Sequence, residues 1–401
     1  MERQAVFFDL GWTLAAPRSG DWMLTQCFAQ RFPRWRDDIP TAQMVQAQAL
    51  VNAWLDQQSI NTLDRELACL TQAYRMLGDA LPALSMTEAD AQTIARDRVE
   101  HVQENFTLLP GAREALEILR AQGMRLGIIS DTWPSVHKQL EVYGILPLLD
   151  SLTFSYALGV RKPDERMYRH ALAQMGLSGQ QCWFVDDLPG NLLGAQALGM
   201  RGIQAVAAPG SVEDGRFPAA RTPQRMVDII QGHGDDTDWS RFRVQLTEAD
   251  LPAMMALQAD MAAALPDPRW YFTSSQEEFA GEVAAGRVQG IRVQGELAAF
   301  AIAAPGGGEG SYAAILGRDE PHSLDFQDVM VSPAYRRRGI HSHFLALFEQ
   351  QARAQQMTAM YATVDPDNLP SLRSFEKAGW KRLTVRSAYD GRIRAYYRKA
   401  L

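Results

Sequence analysis

A chain of 401 residues exceeds the length over which one hydrophobic core usually grows, so two or three domains are expected. With 46% hydrophobic and 22% charged residues it has the make-up of a soluble globular protein. The net charge of −7 speaks against a nucleic-acid partner, which requires a basic excess or stripe.

The N-terminus runs straight into a strand-like Ala5-Val6-Phe7-Phe8, without the basic start and cleavage site of a signal peptide. No apolar run approaches a membrane span. Three scattered cysteines, Cys27, Cys69 and Cys182, have no metal spacing or disulfide framework. A cytoplasmic, reducing location is expected, with small molecules as partners, no membrane or nucleic acid, and an oligomeric state left open.

Apolar runs at 5–9, 126–129, 183–185 and 202–206 read as buried strands, and helical spacing at 112–122 and 164–175 separates the later ones. Strands alternating with helices predict a parallel sheet. The block 15–106 reads as helices without a convincing strand, hence a helical insertion after the first strand. The polar, Gly- and Asp-rich stretch after Ile230 predicts a linker at 232–241. From Phe242 a second unit begins: a strand at 243–246 and a hairpin turning near Gln294-Gly295-Glu296. A strand at 323–331, a helix at 341–353 and a strand at 358–364 follow.

Chemistry-bearing residues in a parallel sheet gather at the carboxyl ends of its strands. Four such places stand out. Asp9 is followed by Leu10-Gly11-Trp12-Thr13, Ser130-Asp131 ends the second run, Lys162 sits in Val160-Arg161-Lys162-Pro163, and Asp186-Asp187 ends the Phe184-Val185 strand. Taken singly, each is as well explained by a turn or a cap. In this order, with a helical insertion after the first, they resemble the haloacid dehalogenase (HAD) superfamily over roughly 4–231, in the subfamily with an inserted helical cap.

That resemblance implies Asp9 as nucleophile, Lys162 as the stabilising cation and Ser130 as the phosphate-binding hydroxyl. It implies Mg²⁺ held by Asp9, the Gly11 carbonyl and Asp186, with Asp187 a weaker contributor. A carboxylate attacking a dianionic phosphoryl group needs intervening positive charge, and Mg²⁺ takes hard oxygen ligands. One departure bears on mechanism. Phosphatases of the family carry a second aspartate two residues after the nucleophile, as general acid and base, and here that position is Gly11. The paired aspartates argue against dehalogenase chemistry. The absence of any lysine between residues 15 and 105 argues against a phosphonatase-like reaction.

Downstream, Asp325-Phe326-Gln327-Asp328-Val329-Met330-Val331 leads through Ser332-Pro333 into Arg336-Arg337-Arg338-Gly339-Ile340-His341 and then an amphipathic helix. A glycine-containing loop at a helix start presents free N–H groups and a positive dipole end to an anion. With Asn368, Ser371 and Phe375-Glu376-Lys377-Ala378-Gly379-Trp380, this resembles the GNAT acyl-CoA N-acyltransferases over roughly 242–400. The resemblance implies acetyl-CoA, or another acyl-CoA, bound by Val331, Arg336, Arg338, Gly339, Asn368 and Ser371. Two positions depart from the pattern. His341 replaces a small loop residue and is expected to point outward. Phe375 replaces a tyrosine that protonates the departing thiolate, leaving Ser371 and Tyr361 as substitutes. Asp325 and Asp328 are the nearest candidates for a general base.

The expected fold is therefore two α/β domains. Residues 1–231 form a Rossmann-like HAD core whose α-helical cap spans about 15–106, and 242–401 form a mixed-sheet GNAT domain. The expected function is a Mg²⁺-dependent phosphohydrolase of a small metabolite joined to an N-acetyltransferase. The alternatives are an acyltransferase with a non-catalytic phosphate-binding HAD module, and a coenzyme A sensor.

Overall fold

The computed structural model describes residues 4–388 and 391–401, which divide into two units. The first comprises residues up to 213 with 217–236, and the second comprises 214–216 with 237–401.

The first unit is built on β1 (Ala5–Phe8), whose four apolar residues are all buried, as a central parallel strand requires. Two short strands, β2 (Ala15–Pro17) and β3 (Phe106–Leu108), pair antiparallel where the helical insertion leaves and rejoins the core. The core sheet is completed by β4 (Arg125–Ser130), β5 (Ser151–Phe154), β6 (Cys182–Asp186), β7 (Arg201–Ala205) and β8 (Ala219–Ala220). Its order is β5-β4-β1-β6-β7-β8, all parallel. The two-residue alternation of a strand divides β1 between its faces. Val6 and Phe8 pack with Leu116, Leu119 and Val227, whereas Ala5 and Phe7 pack with Met167, Tyr168 and Leu192.

Between β2 and β3 lie helices from Gln26–Arg31 to Val102–Asn105, with their own core of Phe28, Leu70, Tyr74 and Ile94. The Tyr74 hydroxyl donates to the Met23 carbonyl at 2.7 Å, satisfying the polar end of a fully buried ring. The insertion is thus helical as expected, but it is entered and left through strands that were too short to show a period.

The second unit is a seven-stranded mixed sheet: β9 (Arg243–Gln245), β10 (Val288–Val293), β11 (Glu296–Pro305), β12 (Ser323–Val331), β13 (Ala359–Val364), β14 (Lys381–Ser387) and β15 (Ile393–Ala400). The order is β14-β15-β13-β12-β11-β10-β9. The β10–β11 turn uses Gln294 at φ 50° and Gly295 at φ 85°, two positive values that match the twist of the flanking strands.

Two features of β12 matter for the site. It pairs with β13, parallel, only over Ser323–Phe326 against residues 359–362, and beyond that the two strands part. On its other side the register slips, Ala303 facing Phe326 and Ile302 facing Asp328, so Gln327 is the extra residue of a bulge.

The stretch expected as a free linker is packed at both ends. In the first unit Asp236 accepts from Arg221 N at 3.0 Å and Arg225 Nε at 2.9 Å. In the second, Trp239 is buried and its Nε1 donates to the Arg338 carbonyl at 2.8 Å. No helix among the described residues is long and apolar enough to cross a membrane.

Candidate active sites

In the first unit, the carboxyl ends of β1, β4 and β6 open onto a cavity of about 350 Å³. Asp9, Gly11, Ser130, Lys162 and Asp187 all line it. Lys162 arrives from the loop before helix Glu165–Met175, and its Nζ donates to Asp9 Oδ1 at 2.7 Å and Asp186 Oδ2 at 2.6 Å. Asp186 sits behind it, fully buried, accepting from Leu188 N at 2.8 Å and from Asn191 Nδ2 at 3.0 and 3.1 Å.

The electrostatics follow from three carboxylates sharing one ammonium. Burial disfavours the charge on Lys162, but Asp9, Asp186 and Asp131 outweigh it and hold the ammonium above the ordinary lysine value. Burial first, then the charges of Asp9 and Asp186, push Asp187 up to about 7. Burial likewise raises Asp186, against the pull of Lys162. Lys162 alone does not balance the cluster. Among the described residues no three Asp, Glu, His or Cys side chains are arranged to cage a metal.

The loop after Ser130 is less open to an anion than the sequence implied. Thr132 N donates to Ser155 Oγ at 3.0 Å, and Ser135 N donates to Glu66 Oε2 at 2.8 Å. Ser135 Oγ also donates to Glu66 Oε1, so a fully buried glutamate from the helical insertion holds this loop.

Sequence reasoning missed the cavity's aromatic wall. Trp12, Trp22 and Trp133 line it together with Arg98. Only Trp12, adjacent to Gly11, lay within a motif. Trp22 and Arg98 sit far away, in a region where nothing but folding brings them to Asp9. Trp12 adopts φ 52°, a backbone conformation costly for a bulky residue.

In the second unit, the gap where β12 and β13 part is a cleft of about 380 Å³. Gln327, Asp328 and Val329 face Thr363, Val364 and Asp365 across it, and Asn368 and Ser371 line it. Asn368 also caps helix Leu369–Lys377 by accepting from Ser371 N at 3.3 Å. Of the two base candidates, Asp328 lines the cleft. Burial first, then Glu282 and Glu278, push it up to about 7. Asp325 is buried elsewhere, accepting from Tyr312 N at 2.8 Å while its Oδ1 has no partner, and burial pushes it to about 6.

Val331, Arg336, Arg338 and Gly339 do not line this cleft. Gly339 has φ 82° and starts the helix Ile340–Ala354 without a side-chain cap, leaving first-turn amides open. Arg336 is half-buried and approaches the Ala264 carbonyl at 3.4 Å. Arg338 is turned inward. It is buried, donates to the Gly215 and Arg216 carbonyls at 2.6 and 3.2 Å and to Thr237 Oγ1 at 2.9 Å, and stacks 4.8 Å from the Trp239 ring. That leaves Arg336 and the exposed Arg337 as the loop's accessible cations.

His341 does not point outward as expected. Its ring lies edge-on to Phe326 and Phe375, at 6.0 and 5.3 Å, and both nitrogens are buried without partners. Burial lowers it to about 4, so the ring is neutral. Phe375 stacks on Tyr397 at 5.5 Å and belongs to the core. Tyr361, a proposed substitute donor, gives its hydroxyl to Glu320 at 2.8 Å and is absent from the cleft wall, whereas Ser371 is present there.

Comparison with known proteins follows the same division. Residues 4–199 match the haloacid dehalogenase-like hydrolases and 251–380 match the acetyltransferase (GNAT) family. Hexitol phosphatase B of Escherichia coli is 30% identical over 137 residues, 34% of this chain and 61% of that protein. A phosphatase of Mycobacterium tuberculosis is 32% identical over 127 residues, 31% of this chain and 57% of that protein. The chain thus spans about three-fifths of the length of these curated relatives. The structure of a ribosomal-protein-alanine N-acetyltransferase from Brucella melitensis is 22% identical, covering 40% of this chain and 99% of that one with a TM-score of 0.32. Two family matches thus stand in succession within one chain, to the haloacid dehalogenase-like hydrolases over 4–199 and to the GNAT acetyltransferases over 251–380.

Proposed function

We propose that the protein is a bifunctional enzyme, a phosphohydrolase at Asp9 and an acyl-CoA-dependent N-acyltransferase at the β12–β13 cleft. The observation that carries the first half is the Lys162 ammonium bridging Asp9 and Asp186 on the wall of a cavity. Lys162 holds Asp9 Oδ1 and fixes the carboxylate's orientation, while Oδ2 accepts no hydrogen bond among the described residues. Oδ2 attacks phosphorus, the bond to the leaving oxygen breaks with its electron pair, and an aspartyl phosphate forms. Water then releases inorganic phosphate and restores the carboxylate.

The donor set suits Mg²⁺, which needs only one or two carboxylates beside waters and phosphate oxygens. Asp9, Asp186 and the Gly11 carbonyl would hold it, with Asp187 alongside; burial first, then the neighbouring carboxylates, weaken Asp186 and Asp187 as acids. When bound, the ion supplies the positive charge that lets a carboxylate approach a phosphoryl dianion.

In the second domain, Asp328 takes a proton from the acceptor amine as its nitrogen attacks the thioester carbonyl; the carbon–sulfur bond breaks with its electron pair on sulfur, and the coenzyme A thiolate takes a proton from water. A carboxylate near 7 is well placed for that task at neutral pH. A metabolite that is both phosphorylated and acylated would account for the fusion.

Phosphate release across a panel of phosphorylated metabolites, with and without Mg²⁺, tests the first half. Asp9→Asn should abolish release, and full activity in that variant refutes the assignment. For the second half, acetyl-CoA should raise the melting temperature and yield free thiol when an acceptor amine is supplied. A second reading makes the first domain a phosphate-ligand binding module. It is favoured by Gly11, where the acid–base carboxylate of phosphatases is missing. It requires binding of phosphorylated ligand without release.

A further inference from the structure

The position of the missing acid is filled. A Cβ added to Gly11 would lie 3.3 Å from Trp22 Cζ2 and 3.8 Å from Asp9 Oδ2, so the indole stands where an acidic side chain would extend. Trp22 is fixed from three sides: it stacks on Phe106 at 5.5 Å, meets Trp12 edge-on at 6.2 Å, and accepts through its carbonyl from Arg98 Nε at 3.1 Å. The wall beside Asp9 therefore has an aromatic face and no proton donor at this position.

Arg98 is the second, independent observation. Its guanidinium lies 5.3 Å from the Phe106 ring and 5.0 Å from the Trp133 ring, and only 8% of the residue is exposed. Its Nε is used, but Nη1 and Nη2 donate no hydrogen bond among the described residues, and the side chain lines the cavity. A guanidinium does not give up its proton, so it cannot serve as a general acid. What it offers is fixed positive charge, shared with the nearby buried Glu66, and two donor groups for an anion.

We propose that the first domain hydrolyses phosphate esters of aromatic hydroxyls, the ring packing against Trp22 and the departing oxygen leaving as a phenolate toward Arg98. The proposal rests on the phosphohydrolase reading and specifies its substrate class. The bond from phosphorus to the aryl oxygen breaks and its electron pair stays on that oxygen. The new bond forms to Asp9 Oδ2, and the phenolate takes a proton from water after release. An alkoxide, far more basic, needs an acid to leave, and the indole supplies none at the Gly11 position. Aromatic selectivity comes from the indole faces, which favour offset or edge-on ring contacts.

The test uses the full-length protein with Mg²⁺ and a series of phosphate compounds: substituted phenyl phosphates, alkyl phosphates of similar size, and the acyl phosphate acetyl phosphate. The expected result is kcat/KM falling steeply with leaving-group basicity, aryl esters exceeding alkyl esters by at least the ~10²-fold that a general acid supplies. Arg98→Gln should lower kcat for aryl esters. Trp22→Ala should raise their KM far more than that of acetyl phosphate. Gly11→Asp combined with Trp22→Ala should flatten the dependence by restoring a donor. Alkyl and aryl esters turned over alike would overturn the aryl assignment while the phosphohydrolase stands. Equal KM for aryl esters in wild type and Trp22→Ala would overturn the role of the indole. No phosphate from any compound, acetyl phosphate included, would overturn both this inference and the reading beneath it.

Discussion

Each domain departs from its family pattern where a proton donor is expected, and each departure is filled by aromatic packing with opposite consequences. At Gly11 the indole of Trp22 takes the space but remains part of a cavity wall, with Arg98 beside it. At Phe375 the ring is sealed into the core against His341, Trp380 and Tyr397. The first substitution changes what the site can accept. The second removes a hydroxyl from a place the acceptor cleft does not reach, which leaves Asp328 and Ser371 as the ionisable or hydroxylic groups facing it from β12 and helix Leu369–Lys377.

The strongest way to break this comparison is to remove the group that organises the first site. Lys162→Met should abolish phosphate release. It should also destabilise the first domain by about 3–5 kcal/mol, because it leaves Asp9 and Asp186 as uncompensated buried charges. Mg²⁺ should recover part of that stability in a thermal melt. A variant that melts like wild type would show that the ion pair does not hold the site together.

In the second domain Asp328→Asn should cost ~10²–10⁴-fold in acyl transfer while the thermal shift given by acetyl-CoA is kept. An equal loss of both would make Asp328 a binding residue instead. Arg336 and Arg338 sharpen the comparison further. Arg338→Ala removes a buried arginine that donates to the Gly215 and Arg216 carbonyls and to Thr237, and should lower stability by roughly 2–4 kcal/mol. Arg336→Ala should weaken acetyl-CoA binding with little effect on the melting temperature. The reverse pattern would restore Arg338 to the role the sequence implied.

Much of this was legible in the sequence because the motif residues sit at strand ends, or for Lys162 in the loop before a helix, where the chain itself fixes direction. Asp9, Ser130, Lys162 and Asp186 were found that way, and the structure brings them to one place. The strands β5, β14 and β15 were not anticipated. Ser151–Phe154 is four residues long and mixes Ser and Thr with apolar neighbours, too short for a period to emerge. Lys381–Ser387 has exposed or half-buried positions throughout, so its pattern resembles a loop. Arg338 illustrates another limit: three consecutive arginines are indistinguishable as letters. Only the fold reveals that the third turns inward to backbone carbonyls and an indole. Trp22, Arg98 and Glu66 lie in the insertion, and no local signal ties them to Asp9.

The smallest expected effect concerns pH, and it separates two buried groups of the second domain that act in opposite directions. Asp325 titrates near 6 in the folded protein against an ordinary value of 3.8, so the folded state holds the extra proton between those values. Its contribution to stability is complete below about pH 4 and is lost as pH rises through 6. His341 titrates near 4 against 6.5, so between these values the unfolded chain holds the extra proton. Its contribution is complete above about 6.5 and is lost as pH falls through 4. Between pH 4 and 6 the two slopes oppose each other, and wild type should show a muted dependence there. Asp325→Asn keeps an acceptor for Tyr312 N, removes the buried charge and should add roughly 2 kcal/mol above pH 6, exposing the histidine slope. His341→Leu should expose the opposite slope. If both variants follow the wild-type curve across pH 4–7, these side chains are solvated in solution, and the sealed aromatic core around Phe375 is more open than the packing of His341 implies.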